Sequence, residues 1–393
     1  DKKMTHAGSL NFSTSARSLS SKMKVLICAG GTGGGIYPAL AAVSALERDG
    51  LNRDQVMWIG TTGEMEETLV PRAGIQLETI QGGAVVGVPW HVSLRNAAKL
   101  MASIGKAIKL IRRFQPDVMF MTGGYMAPPV ALAAKIQRIP IGIFLPDIEP
   151  GSSIKAVMPF AKKVACTTHG SAAFVPEEKM VVTGYPVRPE IRGALHMTKT
   201  EARDRFELEP SRPTLFVFGG SRGALIINRA LMSALPELLQ QAQIIHISGT
   251  FSWPEVEANL ENLSMEQRRR YRPFPYLHAE MGAAFRAADL VLARAGASML
   301  GEGPAFGLPA ILVPLTFAWR YQKVNADYLT EHGAAIQLTD DNLADEFLPV
   351  VTGLLHDKTR LVEMSQAAKA LDIPEATTRL ARFVTSLEEG KTK

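Results

Sequence analysis

The chain has 393 residues, of which 46% are hydrophobic and 21% are charged, and a formal net charge of +5. That length predicts two globular domains, and the small positive charge fits an anionic substrate or membrane surface and gives no reason to expect a nucleic-acid partner. Only two cysteines occur, which excludes a disulfide framework and a structural zinc site and favours the cytosol.

The first 22 residues are rich in Ser and Thr and contain no long apolar block. They lack the features of a secretory signal, so we predict a disordered extension over 1–22 and a folded chain from Met23. No run of about 18 apolar residues follows, and we therefore expect no membrane span.

Short apolar strands alternate with helical stretches through the first half of the chain. The first strand, 25–29, leads into a glycine-rich segment, residues 30–35, which we call the first glycine turn, and a helix follows near Pro38. Further strands are predicted at 56–59, 118–121, 141–145 and 163–167. This alternation predicts a parallel sheet with helices on both faces.

The same pattern restarts in the second half. A strand at 215–218 precedes the second glycine turn, residues 219–224, and a helix that we expect Pro236 to end. Later strands are predicted at 243–247, 290–292 and 310–313. The repeat predicts an α/β protein with two similar, doubly wound parallel-sheet domains that face one cleft at the carboxyl ends of their strands.

We place the junction between the domains near residues 186–189. The predicted units are 23–186, 187–372 and a C-terminal helix or tail at 373–393 that packs back on the first domain.

Both glycine turns have the form that binds phosphate, because backbone N–H groups and a helix N-terminus point at the ligand and no side chain blocks its approach. Neither turn contains GK[ST] or G-x-G-x-x-G, and the second strand ends in Gly60 and Thr61 where a nicotinamide enzyme has an acidic residue. A nicotinamide enzyme is therefore disfavoured. The alternative is that the turns only allow the helices to pack closely on the sheets.

A solitary carboxylate, Glu302, lies in a mainly apolar segment that we predict to be helical. An ionised carboxylate only accepts hydrogen bonds, so the two vicinal hydroxyls of a ribose would suit it. The alternative is a surface glutamate that meets water. A further helix is predicted from Arg320, where a guanidinium and amides can bind phosphate and sugar hydroxyls.

Several blocks in this order resemble the MurG family of UDP-N-acetylglucosamine transferases, which act on lipid-linked muramyl-pentapeptide. The blocks include GGTGG at 30–34, GGY at 123–125, GYPVR at 184–188, GGS with GA at 219–224 and GLP at 307–309. The resemblance runs from Met23 to the end of the chain. It implies the GT-B fold, inversion at the anomeric carbon, and a reaction that needs neither a metal nor another cofactor.

The resemblance also implies two sets of site residues. Those implied for the UDP-sugar donor are Arg188, Gly220, Ser221, Gly223, His278, Arg294, Ala297, Glu302 and Gln322. Those implied for the acceptor diphosphate are Gly31, Thr32, Gly33, Gly34 and Tyr125. The first domain is thereby the acceptor and membrane side, and the second domain binds the donor.

This chain departs from the family pattern at the acceptor side. Gly35 replaces a histidine of the first turn, and the segment 144–147 replaces the family's HEQN. Tyr321 and Met299 replace a glutamine and a threonine in the donor domain. Asp147 and Glu149 follow a predicted strand end and are candidates for the catalytic base; the alternative is that they cap a helix.

The segment 91–114 contains no acidic residue and predicts an amphipathic helix. Its basic residues Arg95, Lys99, Lys106, Lys109 and Arg113 share one face, and Ala97, Met101, Ile104, Ile108 and Ile111 share the other. Such a helix can bind an anionic membrane, or it can simply cover the sheet with its polar face in water.

We therefore predict transfer of N-acetylglucosamine from UDP-N-acetylglucosamine to a lipid-linked muramyl-peptide at the cytoplasmic face of the membrane. Three alternatives stay open: the same fold with another acceptor or sugar, a UDP-N-acetylglucosamine 2-epimerase-like enzyme, and an inactive protein that binds the sugar nucleotide.

Overall fold

The computed structural model describes residues 23–31, 33–81, 90–220, 223–315 and 320–389, and of 90–100 and 320 it describes the backbone alone. The predicted extension 1–22 and the predicted site residues Thr32 and Ser221 lie outside the described residues.

The first half of the chain forms a sheet of seven parallel strands. The strands are β1 Val25–Cys28, β2 Val56–Thr61, β3 Gln76–Ile80, β4 Val118–Met121, β5 Ile141–Leu145, β6 Lys163–Cys166 and β7 Met180–Val182. The helices are α1 Gly33–Arg48, α2 Glu66–Arg72, α3 Trp90–Phe114, α4 Ala127–Ile136 and α5 Ser152–Val157. The strand order is β3-β2-β1-β4-β5-β6-β7, so the order reverses between β1 and β4. Ligands of such sheets bind outside the strand ends at this reversal.

The second half forms a sheet of six parallel strands. The strands are β8 Thr214–Phe218, β9 Gln243–Ile247, β10 Tyr271–Phe274, β11 Leu290–Ala293, β12 Ala310–Leu312 and β13 Ala335–Gln337. The helices are α6 Pro189–Arg192, α7 Lys199–Asp204, α8 Leu225–Gln241, α9 Trp253–Asn259, α10 Met265–Arg270, α11 Met281–Ala287, α12 Glu302–Phe306, α13 Arg320–Glu331, α14 Leu343–His356, α15 Lys358–Ala370 and α16 Ala376–Ser386. The strand order β10-β9-β8-β11-β12-β13 reverses between β8 and β11. The predicted fold class, two doubly wound parallel-sheet domains, is confirmed.

Alternate side chains of each central strand enter different apolar cores. In β1, Val25 and Ile27 belong to one buried cluster and Leu26 and Cys28 to another, as expected for a strand covered on both faces. The cluster that holds Val25 continues through Tyr185 into the second sheet. The two sheets are therefore joined by a shared apolar core as well as by the chain.

The last helix, α16, packs on the first sheet. The rings of Phe383 and Phe120 lie edge to face with centroids 6.4 Å apart. A Cβ on Gly142 of β5 would overlap Leu387, and Lys162 Nζ donates to the Leu387 carbonyl at 3.0 Å. Because α16 follows the second sheet in the chain, it ties the two halves together.

The prediction that Pro236 ends a helix is wrong, since α8 continues to Gln241. A proline inside a helix costs about 3 kcal/mol through its missing N–H and its ring. Leu235, Leu238 and Leu239 are all fully buried, and burial of a leucine is worth about 1.5–3 kcal/mol. The apolar contacts of these three leucines therefore outweigh the proline.

The amphipathic helix extends over Trp90–Phe114 as α3, but Met101, predicted on its apolar face, is 68% exposed. Further along α3, Ala107, Leu110 and Ile111 are buried. Nearer to Met101, the buried Ser103 donates to the Gln81 carbonyl at 3.1 Å, so the helix contacts the domain from Ser103 onward while Met101 faces solvent. Among the described residues, no helix combines the length and apolar character that crossing a bilayer requires.

Candidate active site

The first glycine turn connects β1 to α1 and contacts another turn of the first domain, the one that follows β4. Gly124 has a φ of +95°, and a Cβ there would lie 3.2 Å from the Gly30 carbonyl oxygen. Only glycine allows the two backbones to approach this closely. The carboxylate of Glu66, fully buried, accepts hydrogen bonds from the N–H groups of Thr61 at 2.8 Å and Gly31 at 3.3 Å. A buried carboxylate thus fixes the shape of the predicted acceptor turn.

Gly35 occupies the position where the family pattern has histidine. Its carbonyl accepts a hydrogen bond from the Thr122 hydroxyl at 2.9 Å. A Cβ on Gly35 would lie 3.0 Å from Thr122 Oγ1, closer than almost all such contacts in proteins. A histidine here would require Thr122 to move. The packing around residue 35 therefore fits a glycine.

The second glycine turn connects β8 to α8 and packs against the end of β9. Gly223 has a φ of +77°, and a Cβ there would overlap the Ser248 carbonyl. A Cβ on Gly219 would overlap the Ala224 backbone. The turn therefore needs glycine for steric reasons, and it delivers the N-terminus of a 17-residue helix to the cleft.

A network of hydrogen-bonded, buried polar side chains supports the second glycine turn. Asn228 Nδ2 donates to the Ser248 carbonyl at 2.9 Å, and its Oδ1 lies 2.9 Å from His246 Nε2. Burial lowers the pKa of His246 to about 3, so the ring is neutral. Since Oδ1 can only accept, Nε2 carries the proton, and Nδ1 accepts from the Tyr271 hydroxyl at 2.7 Å. The network leaves each buried group satisfied and fixes the position of Ser248.

Glu302 and Arg188 form the charged centre of the cleft. Glu302 begins α12 and is 4% exposed, and Arg188 Nη2 lies 3.8 Å from its Oε1. Burial raises the pKa of Glu302, while Arg188 and a hydrogen bond with Ser298 oppose that rise. Arg188 Nη1 also lies 3.9 Å from Glu190 Oε1. Both pairs attract at a distance, and neither is a hydrogen bond.

The side chain of Arg188 is 21% exposed. Within the part of the chain that the structure describes, none of its N–H groups is hydrogen-bonded. These N–H groups are in contact with solvent, because among the described residues the buried side-chain nitrogen without a partner is Arg294 Nε. An arginine in this state is suited to an anion such as a diphosphate, which the guanidinium can bind through two parallel hydrogen bonds.

Aromatic residues surround this centre. The Tyr37 ring lies with its centroid 4.6 Å from Arg188 Cζ, and Tyr276 lies beside Tyr37. Burial, with Glu302 nearby, raises the pKa of Tyr185. The ring of the exposed His278 lies 4.5 Å from that of Tyr276. The tyrosines close the apolar side of the cleft and place His278 at its rim.

Asp147 lies where the two sheets face each other, just after β5. Asn325 Nδ2, from α13, donates to Asp147 Oδ1 at 2.7 Å and to the Ala295 carbonyl at 3.1 Å. Asn325 Oδ1 accepts from Ile148 N at 3.0 Å. One buried amide therefore holds the end of β5 against the loop after β11.

The pKa of Asp147 is raised to about 6 by burial, against which the Asn325 hydrogen bond acts. Burial and the charges of Asp147 and Tyr125 raise the pKa of Tyr321. Asp147 thus shares one region with Tyr125 of the predicted acceptor side and with Tyr321 of the donor domain.

The other candidate base, Glu149, has a different environment. It is 7% exposed and forms an ion pair with Lys155, with Nζ 3.0 Å from Oε1. The Lys155 ammonium, on α5 of the same domain, thus already engages this carboxylate. Of the two carboxylates, Asp147 has the surroundings expected of a base that works near neutral pH.

Three predicted donor residues are engaged within the second domain. Arg294 Nη1 donates to Asp340 Oδ1 at 2.6 Å and to the Val313 carbonyl at 3.0 Å. Gln322 Oε1 accepts from Leu315 N at 3.0 Å, and Ala297 begins a short 3-10 turn that leads to Glu302. Arg294 and Gln322 thereby shape the loop after β12, and their contacts with a sugar nucleotide stay predictions.

Sequence reasoning did not single out Tyr37, Tyr276 or Glu66 as site residues. Tyr37 is separated from Arg188 by 151 positions, and only the packing of α1 against the domain junction brings them together. Glu66 could have been noticed as a carboxylate close to a buried strand, but its partners are backbone groups that no motif identifies.

Comparison with known proteins gives the site its family. The models of the glycosyltransferase family 28 N-terminal domain and C-terminal domain match residues 25–166 and 214–380. A relative from Roseiflexus sp., named UDP-N-acetylglucosamine–N-acetylmuramyl-(pentapeptide) pyrophosphoryl-undecaprenol N-acetylglucosamine transferase, is 34% identical over 93% of this chain and 95% of its own length. A relative of the same name from Lacticaseibacillus casei is 35% identical over 93% and 99%. The chain belongs to the MurG family.

The solved structure of Acinetobacter baumannii MurG agrees with this family assignment. It is 26% identical, covers 93% of this chain and 99% of its own, and superposes with a TM-score of 0.72. A Staphylococcus aureus MnaA–UDP structure has a TM-score of 0.65 at 14% identity over 93% and 96% of the two chains, which shows the shared fold alone. The predicted GT-B glycosyltransferase of the MurG family is confirmed.

Proposed function

We propose that this enzyme transfers N-acetylglucosamine from UDP-N-acetylglucosamine to a lipid-linked, undecaprenyl-pyrophosphoryl muramyl-peptide, with inversion at the anomeric carbon. The relatives named above carry this activity in their names. The observation that supports donor binding here is the guanidinium of Arg188 without hydrogen bonds beside the buried carboxylate of Glu302. One group suits a diphosphate and the other suits a ribose.

On the donor side, Glu302 accepts hydrogen bonds from the ribose hydroxyls. The diphosphate lies on the second glycine turn, with Gly220, Ser221, Gly223, the α8 N-terminus and Arg188 as its partners. The residues left for the uracil and the sugar are His278, Arg294, Ala297 and Gln322. This arrangement places the phosphates at the strand-order reversal of the second sheet, where such folds bind their ligands.

On the acceptor side, the lipid diphosphate lies at the first glycine turn, along Gly31, Thr32, Gly33 and Gly34. Tyr125, 56% exposed, borders this place. Because Gly31 N–H is directed at Glu66, the N-terminus of the 16-residue helix α1 supplies the remaining donors. The sugar hydroxyl of the acceptor then points towards the second domain.

In the reaction, the acceptor hydroxyl oxygen attacks the anomeric carbon as the bond to the UDP oxygen breaks. Asp147 takes the hydroxyl proton, and UDP leaves with the electron pair of the broken bond. Arg188 and the second glycine turn stabilise the negative charge that develops on the leaving diphosphate. Those groups also perform the task for which other transferases use a divalent cation, so we propose a metal-independent reaction.

A transfer assay with labelled UDP-N-acetylglucosamine and a lipid-linked muramyl-peptide tests this proposal. We expect labelled lipid product with the inverted anomeric configuration, and the same rate in excess EDTA. Isomerised donor would indicate an epimerase instead, and donor binding without turnover would indicate an inactive homologue. Loss of activity in EDTA that Mg²⁺ restores would contradict the metal-independent mechanism.

We also propose that the enzyme is peripheral at the inner face of the membrane and binds anionic lipid through residues 91–114. Met101 is 68% exposed, and Lys109 is exposed on the same helix. Two other basic residues are engaged by the domain, because Lys106 donates to the Thr79 carbonyl at 2.6 Å and Arg113 pairs with Glu78. The side chains of Arg95 and Lys99 lie outside the described residues.

Vesicle sedimentation tests the membrane proposal. We expect the enzyme to bind anionic vesicles more strongly than neutral ones, since each basic residue near the surface contributes about 1 kcal/mol. The double variant Met101→Asp/Lys109→Glu should lose most of this binding. The control Lys358→Glu makes the same charge reversal as Lys109→Glu at an exposed position of α15 and should retain the binding. Equal binding of wild type and double variant would contradict the proposal.

The division of the chain at 186/187, with 373–393 returning to the first domain, is likewise our proposal. It is supported by the close packing of Tyr185 on the second domain: a Cβ on Gly301, the residue before α12, would lie 2.7 Å from Tyr185 Cβ.

A further inference from the structure

Tyr37 lies between the two halves of the proposed active site. It belongs to α1 in the first domain, four residues after Gly33, so the two residues are neighbours on one helix face. A Cβ on Gly33 would lie 3.0 Å from Tyr37 Cε2. On its other side the ring meets Arg188, with 4.6 Å between the ring centroid and Cζ. One side chain therefore touches both the acceptor turn and the donor arginine.

The contact with Tyr37 positions Arg188 and leaves the N–H groups of its guanidinium available to a ligand. A cation above an aromatic ring is attracted to the face of the ring, and this attraction uses none of the N–H groups. Glu302 and Glu190 lie 3.8 and 3.9 Å from the guanidinium, too far to fix its orientation by hydrogen bonds. The Tyr37 ring therefore positions the guanidinium through its face, and the N–H edges stay open for a diphosphate.

The Tyr37 ring is also close to the second domain. Its hydroxyl lies near Tyr276, which follows β10. The absence of a side chain at Gly33 gives the ring its space on the acceptor side. A movement of the first glycine turn would therefore displace the Tyr37 ring and, through it, Arg188.

We propose that Tyr37 is a positioning residue for Arg188, and that it couples the acceptor-side glycine turn to recognition of the donor diphosphate. This inference rests on the proposed donor site. Tyr37 acts through the arginine: it does not touch the ribose, and it carries no proton in the reaction.

Titration of UDP and uridine against single and double variants tests the role of Tyr37. Tyr37→Leu removes the aromatic face and should weaken UDP binding about 3- to 30-fold, which is the range of a cation–π contact. Uridine has no phosphate and should bind as before. Tyr37→Phe keeps the ring and should retain UDP binding within about threefold, because only one hydroxyl contact is lost. In an Arg188→Ala background, Tyr37→Leu should have no further effect on UDP.

Gly33→Ala extends the test to the acceptor side. The added methyl group displaces the ring, so UDP binding should weaken, and this weakening should disappear in the Tyr37→Leu background. Tyr37→Met, unbranched and similar in size, replaces Tyr37→Leu if the leucine variant does not fold. The proposal would be overturned if Tyr37→Leu weakened the binding of UDP and of uridine equally. It would also be overturned if Tyr37→Leu weakened UDP binding as much in the Arg188→Ala background as in the wild type. If Arg188→Ala leaves UDP binding unchanged, the proposed donor site is wrong. If Arg188→Ala weakens UDP binding but the Tyr37 variants do not, the donor site is right and the proposed coupling through Tyr37 is wrong.

Discussion

Replacing Glu302 with alanine is expected to weaken UDP binding by about 10²–10⁴-fold, because a buried carboxylate contributes about 1.5–3 kcal/mol for each of two charged hydrogen bonds to the ribose. The loss should be specific to the ribose. Wild-type enzyme should prefer UDP to 2′-deoxy-UDP, and Glu302→Ala should bind the two nucleotides equally. Isothermal titration of both nucleotides measures the effect.

Glu190→Ala is the matched control for this experiment. Glu190 also faces Arg188, at 3.9 Å, but its side chain is 52% exposed and it lies on the other side of the guanidinium. Its removal frees Arg188 from one competing carboxylate, so UDP should bind equally well or more tightly. A loss of UDP affinity in Glu190→Ala as large as in Glu302→Ala would show that both changes act by displacing Arg188 and that Glu302 does not bind the ribose.

Replacing Asp147 with asparagine is expected to lower turnover by about 10²–10⁴-fold and to leave UDP binding unchanged, because general base catalysis contributes that factor. Asparagine keeps the Oδ1 atom that accepts from Asn325 Nδ2 at 2.7 Å, so the contact between the domains should persist. A single-turnover assay together with UDP titration separates the two effects.

The pH dependence of the reaction gives an independent test of Asp147. A base must be deprotonated to act, and burial raises the pKa of Asp147 to about 6. The wild-type rate should therefore rise with pH up to about 6 and level off above it. Since the folded state holds this proton more tightly than the unfolded state, the wild type loses stability as pH rises from about 4 to about 6. Asp147→Asn should lose this dependence and should melt no lower than wild type at pH 8.

Glu149→Gln tests the other candidate. Its carboxylate is paired with Lys155, so the variant should retain turnover within about one order of magnitude. Full activity of Asp147→Asn, together with loss of activity in Glu149→Gln, would transfer the role of base to Glu149.

The central strands could be predicted from the sequence, and the edge strands could not. Strands such as β1 and β8 are buried on both faces and appear as unbroken apolar runs. The four strands that sequence analysis missed, β3, β7, β10 and β13, are the edges of the two sheets. They are partly exposed, and β10 contains Pro273, which sequence rules favour only at an edge.

The site residues also divide into those that the local sequence identifies and those that it does not. Glu302, Arg188 and the glycine turns belong to local motifs, in which a residue type and its spacing carry the chemistry. Tyr37, Tyr276 and Asn325 act through contacts between distant segments: Asn325 meets Asp147 178 positions away. No local pattern encodes such a contact, because it depends on how the two sheets and α13 pack. The departure at Gly35 was visible in the sequence, but its fit against Thr122 required the structure.

A crystal structure of the enzyme with UDP-N-acetylglucosamine bound would test the donor site most directly. We expect both ribose hydroxyls within hydrogen-bond distance of Glu302, and the diphosphate on residues 219–224 with Arg188 as its partner. A nucleotide bound at the first sheet, or one whose ribose lies away from α12, would contradict the assignment.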